Sequence, residues 1–231
     1  MSELLVKEKE IVIPGEEIAK GMDFLPSLGT FRDGESIYSN KLGLVEVRQH
    51  VVKVIPLKGY YSPQRGDVVI GVIKHVGFSG WTVDIGAPFD VTLPVGEAVR
   101  ERVELLRSDI SRYFEIGDII IANVFNVTKS KIIHLSMRDY GLKKLRDGLV
   151  MKISPSKVPR LIGKSGSMVG MIKEYSKCEI NVGQNGFVWV NGTVEGTALV
   201  EKAINLIEEK AHTSGLTDKI KNILEEGVKN E

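Results

Sequence analysis

Residues 161–170 read LIGKSGSMVG, and the Gly163-Lys164-Ser165 inside them has two readings: the end of a nucleotide-binding P-loop, or another kind of phosphate grip. A P-loop needs Gly-x-x-x-x-Gly-Lys-Ser/Thr behind a buried strand, because its first glycine and long arch let successive backbone N–H groups wrap the phosphates. Here Val158 stands where that first glycine belongs, and Pro159 removes an N–H from the arch. The preceding residues pattern as a short helix, and no later apolar run ends in a convincing Walker B aspartate. Spacing and context therefore exclude the nucleotide. What remains is Gly163-Lys164-Ser165-Gly166, a Gly-x-x-Gly turn between two helices. Its glycines have no Cβ to obstruct a sugar-phosphate chain, Lys164 supplies charge, and the helix opening near Gly166 turns N–H groups toward a phosphate. A bare turn of this kind is also an ordinary helix–helix connection, so its surroundings decide.

Outward from the turn the pattern is mixed α/β. LVMKIS (149–154) is strand-like, SPSKVPRLIG (154–163) a short helix opened by Ser154 or Ser156, and GSMVGMIKEYSK (166–177) a second helix. EINVG (179–183) and FVWVNG (187–192) flank Gln184-Asn185-Gly186, in which Asn-Gly is a strong hairpin signal. A longer helix follows from about Val194 to Ala211, with Leu199, Ala203, Ile204, Ile207 and Ala211 on one face. In the tail, Leu216, Ile220, Ile223 and Leu224 keep helical spacing, as in a docked or fraying helix. Ile162 and Val169 complete an Ile-Gly-x-x-Gly-x-x-Ile/Val pattern around the loop. With this order of elements, residues 148–211 resemble a type I KH domain, which implies that Gly163, Lys164, Ser165 and Gly166 contact RNA.

Before this segment lies a β-rich one. DVVIGVIKHV (67–76), GWTVDIG (80–86), FDVTLP (89–94), DIIIANVFNV (118–127) and KIIHLSM (131–137) are five strand candidates, with a charged, more helical insert at 96–114. Five short strands in this span suit an OB-fold barrel. Residues 64–139 resemble the OB-type repeat named after the largest small-subunit ribosomal protein, through Gly66-Asp67, Gly117-Asp118 and Leu135-Ser136-x-Arg138. The family usually has His-x-Ser after the third strand, where TLPVGEA (92–98) stands here, so the contacts of that position are open. OB barrels bind single strands by stacking bases on aromatics beside basic side chains. Lys74, His75, Phe78, Trp81 and Phe89 are the candidates. Each aromatic also reads as core, Phe89 as readily as contact, and Trp81 alternates in phase with Val83 and Ile85.

Residues 1–62 carry short β-branched runs, including Val45, Val47, Val51, Val52, Val54 and Ile55, broken by turn formers such as Asp33-Gly34 and Asn40. They read as a small β domain. The division expected is 1–62, a barrel at 63–147, a KH domain at 148–212 and a helical tail at 213–231, mainly β and then α+β, with no internal repeat. Net charge of +1 gives no global pull toward nucleic acid, so RNA binding must come from local patches. The single Cys178 excludes an internal disulfide, and the four histidines lie in separate segments without ligand spacing, so neither metal nor cofactor is expected. The chain lacks an apolar run long enough to span a bilayer, and the expected location is cytoplasmic.

A small β unit, this barrel and a KH segment, in that order, resemble the KH-containing RNA-binding cap subunits of the archaeal exosome. Gly183-x-Asn185-Gly186 followed by Trp189 matches a Gly-x-Asn-Gly signature of those cap proteins, where it implies a structural element at the packing of KH against barrel. The resemblance implies a non-catalytic subunit, three copies of which sit on a hexameric ring of RNase PH-like subunits and guide single-stranded RNA 3′ ends into the pore. The N-terminal unit would make most ring contacts. No catalytic group stands out by spacing, and Glu208-Glu209 reads as a solvated helix face. A Nus-type transcription factor, which would normally carry a second KH domain, and a stand-alone RNA- or nucleotide-hydrolysing enzyme are the alternatives.

Overall fold

Clusters of β-branched residues between Gly, Pro and Asn turns fold as strands because their stiff side chains suit a pleated, half-buried surface. The computed structural model bears this out, and it describes residues 2–57, 59–89, 91–99, 110–211 and 215–229. The chain forms two compact units, Met1–Gly59 and Tyr60–Glu231. In the first, β1 (Glu3–Leu4), β3 (Glu17–Lys20), β6 (Ser36–Ser39) and β5 (Thr30–Asp33) make one sheet. The second sheet has the order β2 (Ile11–Val12), β7 (Gly43–Arg48), β8 (Val51–Pro56), β4 (Leu25–Pro26). Register pairs Val45 with Val54 and Val47 with Val52 on the inner face, where Val12, Ile18 and Ile37 complete the core. The same register puts Ile11, Leu44 and Ile55 in one row on the outer face, and Ile11 and Ile55 stay exposed.

The second unit begins with a closed barrel of β9 (Val68–Val76), β10 (Gly80–Asp84), β11 (Val91–Pro94), β12 (Ile119–Val127) and β13 (Ile133–Ser136). β9 pairs with β10 and β12, β10 with β11, β11 in parallel with β13, and β13 with β12, which closes the ring. Short α1 (Val95–Ala98) follows β11, and β14 (Lys144–Leu145) is added beside β12. Part of the expected helical insert, 100–109, lies outside the described residues.

No repeat is visible in the sequence, but the barrel contains one in its geometry. Gly66 and Gly117 have φ of +93° and +94°, and each following aspartate accepts from the amide three residues back, Asp67 from Gln64 and Asp118 from Glu115. Each turn then closes on the other's strand: Gly66 N donates to Val124 O, and Gly117 N donates to Ile73 O. One residue beyond each contact the strand bulges. Ile73 pairs with Val83 and His75 with Thr82, leaving Lys74 as the extra residue. Val124 pairs with Leu135 and Asn126 with His134, leaving Phe125 as the extra residue. A bulge sets two residues against one on the same face. Lys74-His75 and Phe125-Asn126 are accordingly all exposed, although an unbroken alternation would turn one of each pair inward.

The KH segment has β15 (Leu149–Lys152), α2 (Val158–Ile162), α3 (Ser167–Ser176), β16 (Glu179–Val182), β17 (Phe187–Asn191) and α4 (Val194–Lys210), with an antiparallel sheet of order β15-β17-β16. Thr193 caps α4 by accepting from Gly196 N at 3.1 Å. The segment opens at Ser154, one of the two expected positions, which stands at the N-cap of a 3₁₀ turn running into α2; its hydroxyl is given to Glu208 and not to a helix amide. The tail forms α5 (Leu216–Lys229), and Leu216, Ile220 and Leu224 are fully buried in the same core as α3 and α4. Cys178 is buried there as a free thiol.

Candidate nucleic-acid interface

The loop between α2 and α3 is built by its glycines. Gly163 ends α2 at φ +74°, ψ 178°, a backbone region that only glycine occupies readily, and a Cβ there would stand 2.7 Å from Met168 Cβ. Gly166, at φ +80° and ψ 9°, leads into α3 from the left-handed region and faces open space. Between them Lys164 and Ser165 are exposed, with Ser165 also left-handed at φ +53°. The four candidate loop residues thus form one outward knuckle at the N-terminus of a ten-residue helix, whose dipole favours negative charge.

On the barrel the candidates separate. Lys74 and His75 share the outer wall at the first bulge, and Phe78, 69 % exposed, lies just beyond in the turn to β10. Lys74 Nζ is 2.8 Å from Asp84 Oδ2, and this ammonium holds the Asp84 carboxyl below its usual range against the opposing effect of partial burial. Trp81 must be corrected. It is 1 % exposed, packs edge-on against Phe114 and donates its indole N–H to Phe114 O, so it has no free face on which a base could stack. Phe89 sits past the other end of β10, half-buried, with Lys131 Nζ 5.1 Å from its ring centroid. A small cavity of about 100 Å³ adjoins it, lined also by Pro63, Val127 and Ile133.

Pro94 leads into α1, whose Glu97 accepts from Ser136 Oγ at 2.6 Å, and Arg138 Nε donates to Gly96 O at 2.9 Å. Leu135-Ser136-x-Arg138 is therefore a clasp on α1. Tyr61 closes the barrel's first turn by donating to Asp67 Oδ2 at 2.6 Å, and burial together with that carboxylate pushes its phenol far up.

The Gly183-x-Asn185-Gly186 residues and Trp189 lie between KH segment and barrel. β10 pairs with β9 only as far as Val72, so the peptide groups of Val68 and Ile70 on that side lack a strand partner. The β16–β17 turn supplies one. Gln184 N donates to Val68 O and Gln184 Oε1 accepts from Val68 N, both at 2.8 Å. Asn185, 4 % exposed, accepts from Ile70 N at 3.2 Å and donates Nδ2 to Ile70 O at 2.7 Å and Ile85 O at 2.9 Å. Any side chain at 183 would run into Asn185 Oδ1 and Ile70 N. Beside this polar clamp, Trp189 and Phe187 pack with Ile70, Ile121 and Leu145 into a shared apolar cluster.

Among the described residues no group of three or more His, Cys, Asp or Glu could hold a metal ion, and no helix is long and apolar enough to cross a membrane.

Comparison with known proteins agrees with this three-part order. Residues 9–58 match the description "Exosome RNA binding protein RRP4 N-terminal domain", residues 60–126 "RRP4, S1 domain" and residues 148–196 "KH domain". The exosome complex component Rrp4 of Thermococcus kodakarensis is 48 % identical over 227 residues, covering 97 % of this chain and 88 % of the relative. The chain belongs to the Rrp4 family. Rrp4 of Methanothermus fervidus is 41 % identical over 221 residues, covering 96 % of this chain and 97 % of the relative. A solved crystal structure described as that of an exosome complex RNA-binding protein matches with a TM-score of 0.68 at 35 % identity, over 74 % of this chain and 99 % of that one. The barrel described above is thus the S1-type barrel of an Rrp4 protein.

Proposed function

We propose that this chain is the non-catalytic RNA-binding subunit of an archaeal exosome, that it caps an RNase PH-like ring in three copies, and that it leads RNA 3′ ends into the ring for 3′-to-5′ degradation. The observation that carries RNA binding is the Gly163–Gly166 knuckle, with Lys164 outward at the start of α3 and open space at Gly166. This backbone admits a sugar-phosphate chain and offers it a positive helix end. Near-neutral overall charge fits weak binding per copy, multiplied by effective concentration when several copies hold one RNA. For the ring contact the first unit offers an apolar row, Ile11, Leu44 and Ile55, with Leu42 and Leu57 joined by a hydrogen bond at its end. A strand face of this kind left bare on a small sheet suits a protein partner.

The direct test is Gly166→Asp. It should weaken binding to a single-stranded oligoribonucleotide about tenfold at low salt, since a carboxylate is placed against phosphate. Unchanged affinity would sink the loop's role. Co-expression with RNase PH-like subunits, followed by mass measurement of the eluted complex, addresses the cap. If Ile11→Asp with Ile55→Asp still co-elutes at full occupancy, the N-terminal face is not the contact. The purified chain should neither shorten labelled RNA nor hydrolyse ATP.

A further inference from the structure

The internal repeat of the barrel leaves one of its two bulges without a role. At the first, Lys74 and His75 stand on the outer wall opposite Thr82; at the second, Phe125 and Asn126 stand opposite His134. The two strands carry the same pattern of buried and exposed residues from end to end. Phe125 is 49 % exposed in the body of a strand, where a barrel wall ordinarily shows polar residues. Its surroundings are polar. Asn126 is exposed beside it, and His134 is half-buried with Nδ1 2.8 Å from Thr92 Oγ1. That contact fixes the imidazole by one nitrogen and leaves the other for a ligand. Gly66 N bonds Val124 O, which brings the chain at exposed Arg65 up to the strand that carries this bulge.

The two bulges are connected. His75 pairs with Thr82, Thr82 with Thr92, Thr92 with His134 and His134 with Asn126, one residue from each barrel strand. At about 4.8 Å per strand this row runs roughly 19 Å along the wall. Its members are hydroxyls, imidazoles and an amide, which donate and accept without fixing a base identity. We propose that Phe125, Asn126 and His134 form a base-binding subsite for single-stranded RNA, in which a base stacks on Phe125 while Asn126 and His134 meet its polar edge. The first bulge supplies charge and the second a stacking face, the two components by which sequence-tolerant sites hold single strands. A protein partner would instead call for a contiguous apolar patch, and Phe125 stands beside Asn126 and across from His134.

The subsite rests on the RNA-binding reading above, and the test separates the two. The full chain is titrated with fluorescein-labelled oligoadenylate and oligouridylate, as wild type, Phe125→Ala, Phe125→Trp, Lys74→Ala and Gly166→Asp. Phe125→Ala should weaken both oligonucleotides roughly five- to tenfold with the salt slope unchanged, because no phosphate contact is lost. Lys74→Ala should lower the slope by about one. Phe125→Trp should bind within about twofold of wild type, and its added indole emission should be quenched by RNA. This second readout still decides should Phe125→Ala fold poorly. If wild type binds RNA and Gly166→Asp weakens it, yet Phe125→Ala binds as wild type or the new indole is unquenched, the subsite is overturned and Phe125 belongs to a protein contact. If wild type binds no RNA at all, the RNA-binding reading falls and the subsite with it.

Discussion

Gly163 has a Met168 Cβ 2.7 Å from where its side chain would begin, whereas Gly166, three residues on, faces open space. The motif treats them alike and the physics does not. Gly163→Ala should cost about 1–3 kcal/mol and lower the melting temperature, because its backbone region is closed to other residues. Gly166→Asp should cost less, about 1 kcal/mol, since nothing crowds the new side chain and aspartate is among the few residues that visit the left-handed region. A double aspartate variant would therefore confound loss of fold with loss of binding. Asp84 gives the opposite kind of prediction. Its carboxylate takes up part of the Lys74 charge, so Asp84→Asn should tighten RNA binding about two- to fivefold, an effect that shrinks as salt rises. Loss of affinity would mean that Asp84 places Lys74 instead of masking it. The sequence marked Lys74, His75 and Phe78 by type and position, but it could not set Trp81 apart from them. Alternation put Trp81 in phase with the core, and only the seat of its indole N–H on Phe114 O decides the matter.

At the scale of elements, the end of α4 holds the approach to the loop. Glu208 accepts from Ser154 N at 3.0 Å and from the Ser154 hydroxyl, and Lys157 Nζ reaches both its carboxylate and its main-chain oxygen. Burial pushes the Glu208 carboxyl up, but these donors outweigh it and hold it below the usual range. A lowered folded-state pKa gives stability that is present above the unfolded value and is lost as pH falls through the folded one. Glu208→Gln should therefore cost about 1 kcal/mol at neutral pH, a value discounted for partial exposure, and should flatten the acid limb of the stability profile. A pH profile parallel to wild type would contradict it. The sequence showed Glu208-Glu209 only as two acids on a helix, because a partner at Ser154 leaves no local trace. The docking of α5 was legible in outline from the spacing of Leu216, Ile220 and Leu224, all fully buried. Ile220→Ala should cost about 2–4 kcal/mol by chemical denaturation if the helix is part of the KH core. The bulges were not legible, because the extra residue in each strand is defined only by the partner's register.

For the whole molecule, the strands and helices followed from periodicity and turn residues, and the barrel and KH order from the resemblances that Gly66-Asp67, Gly117-Asp118 and the Gly-x-x-Gly pattern carry. The barrel's repeat did not, since VVIGVIKHV and IIIANVFNV share burial and geometry but few residues. Asn185-Gly186 read locally as a hairpin, and its main consequence is long-range. Asn185→Ala would leave Ile70 N, Ile70 O and Ile85 O unpaired in a buried seam, at about 1–3 kcal/mol for each group left unsatisfied. In calorimetry barrel and KH segment should melt together in the intact chain and as separate transitions in this variant. A single unshifted transition would show that the apolar cluster alone couples them. The clamp also provides a natural reporter. The amide protons of Val68 and Ile70 are held by side chains of Gln184 and Asn185 instead of by a neighbouring strand. Their exchange with deuterium should therefore follow the parting of KH from barrel, while Ile73, whose amide bonds within the barrel to Asp118 O, follows barrel opening. Comparing these protons with and without RNA would measure how far a bound strand ties the two modules together.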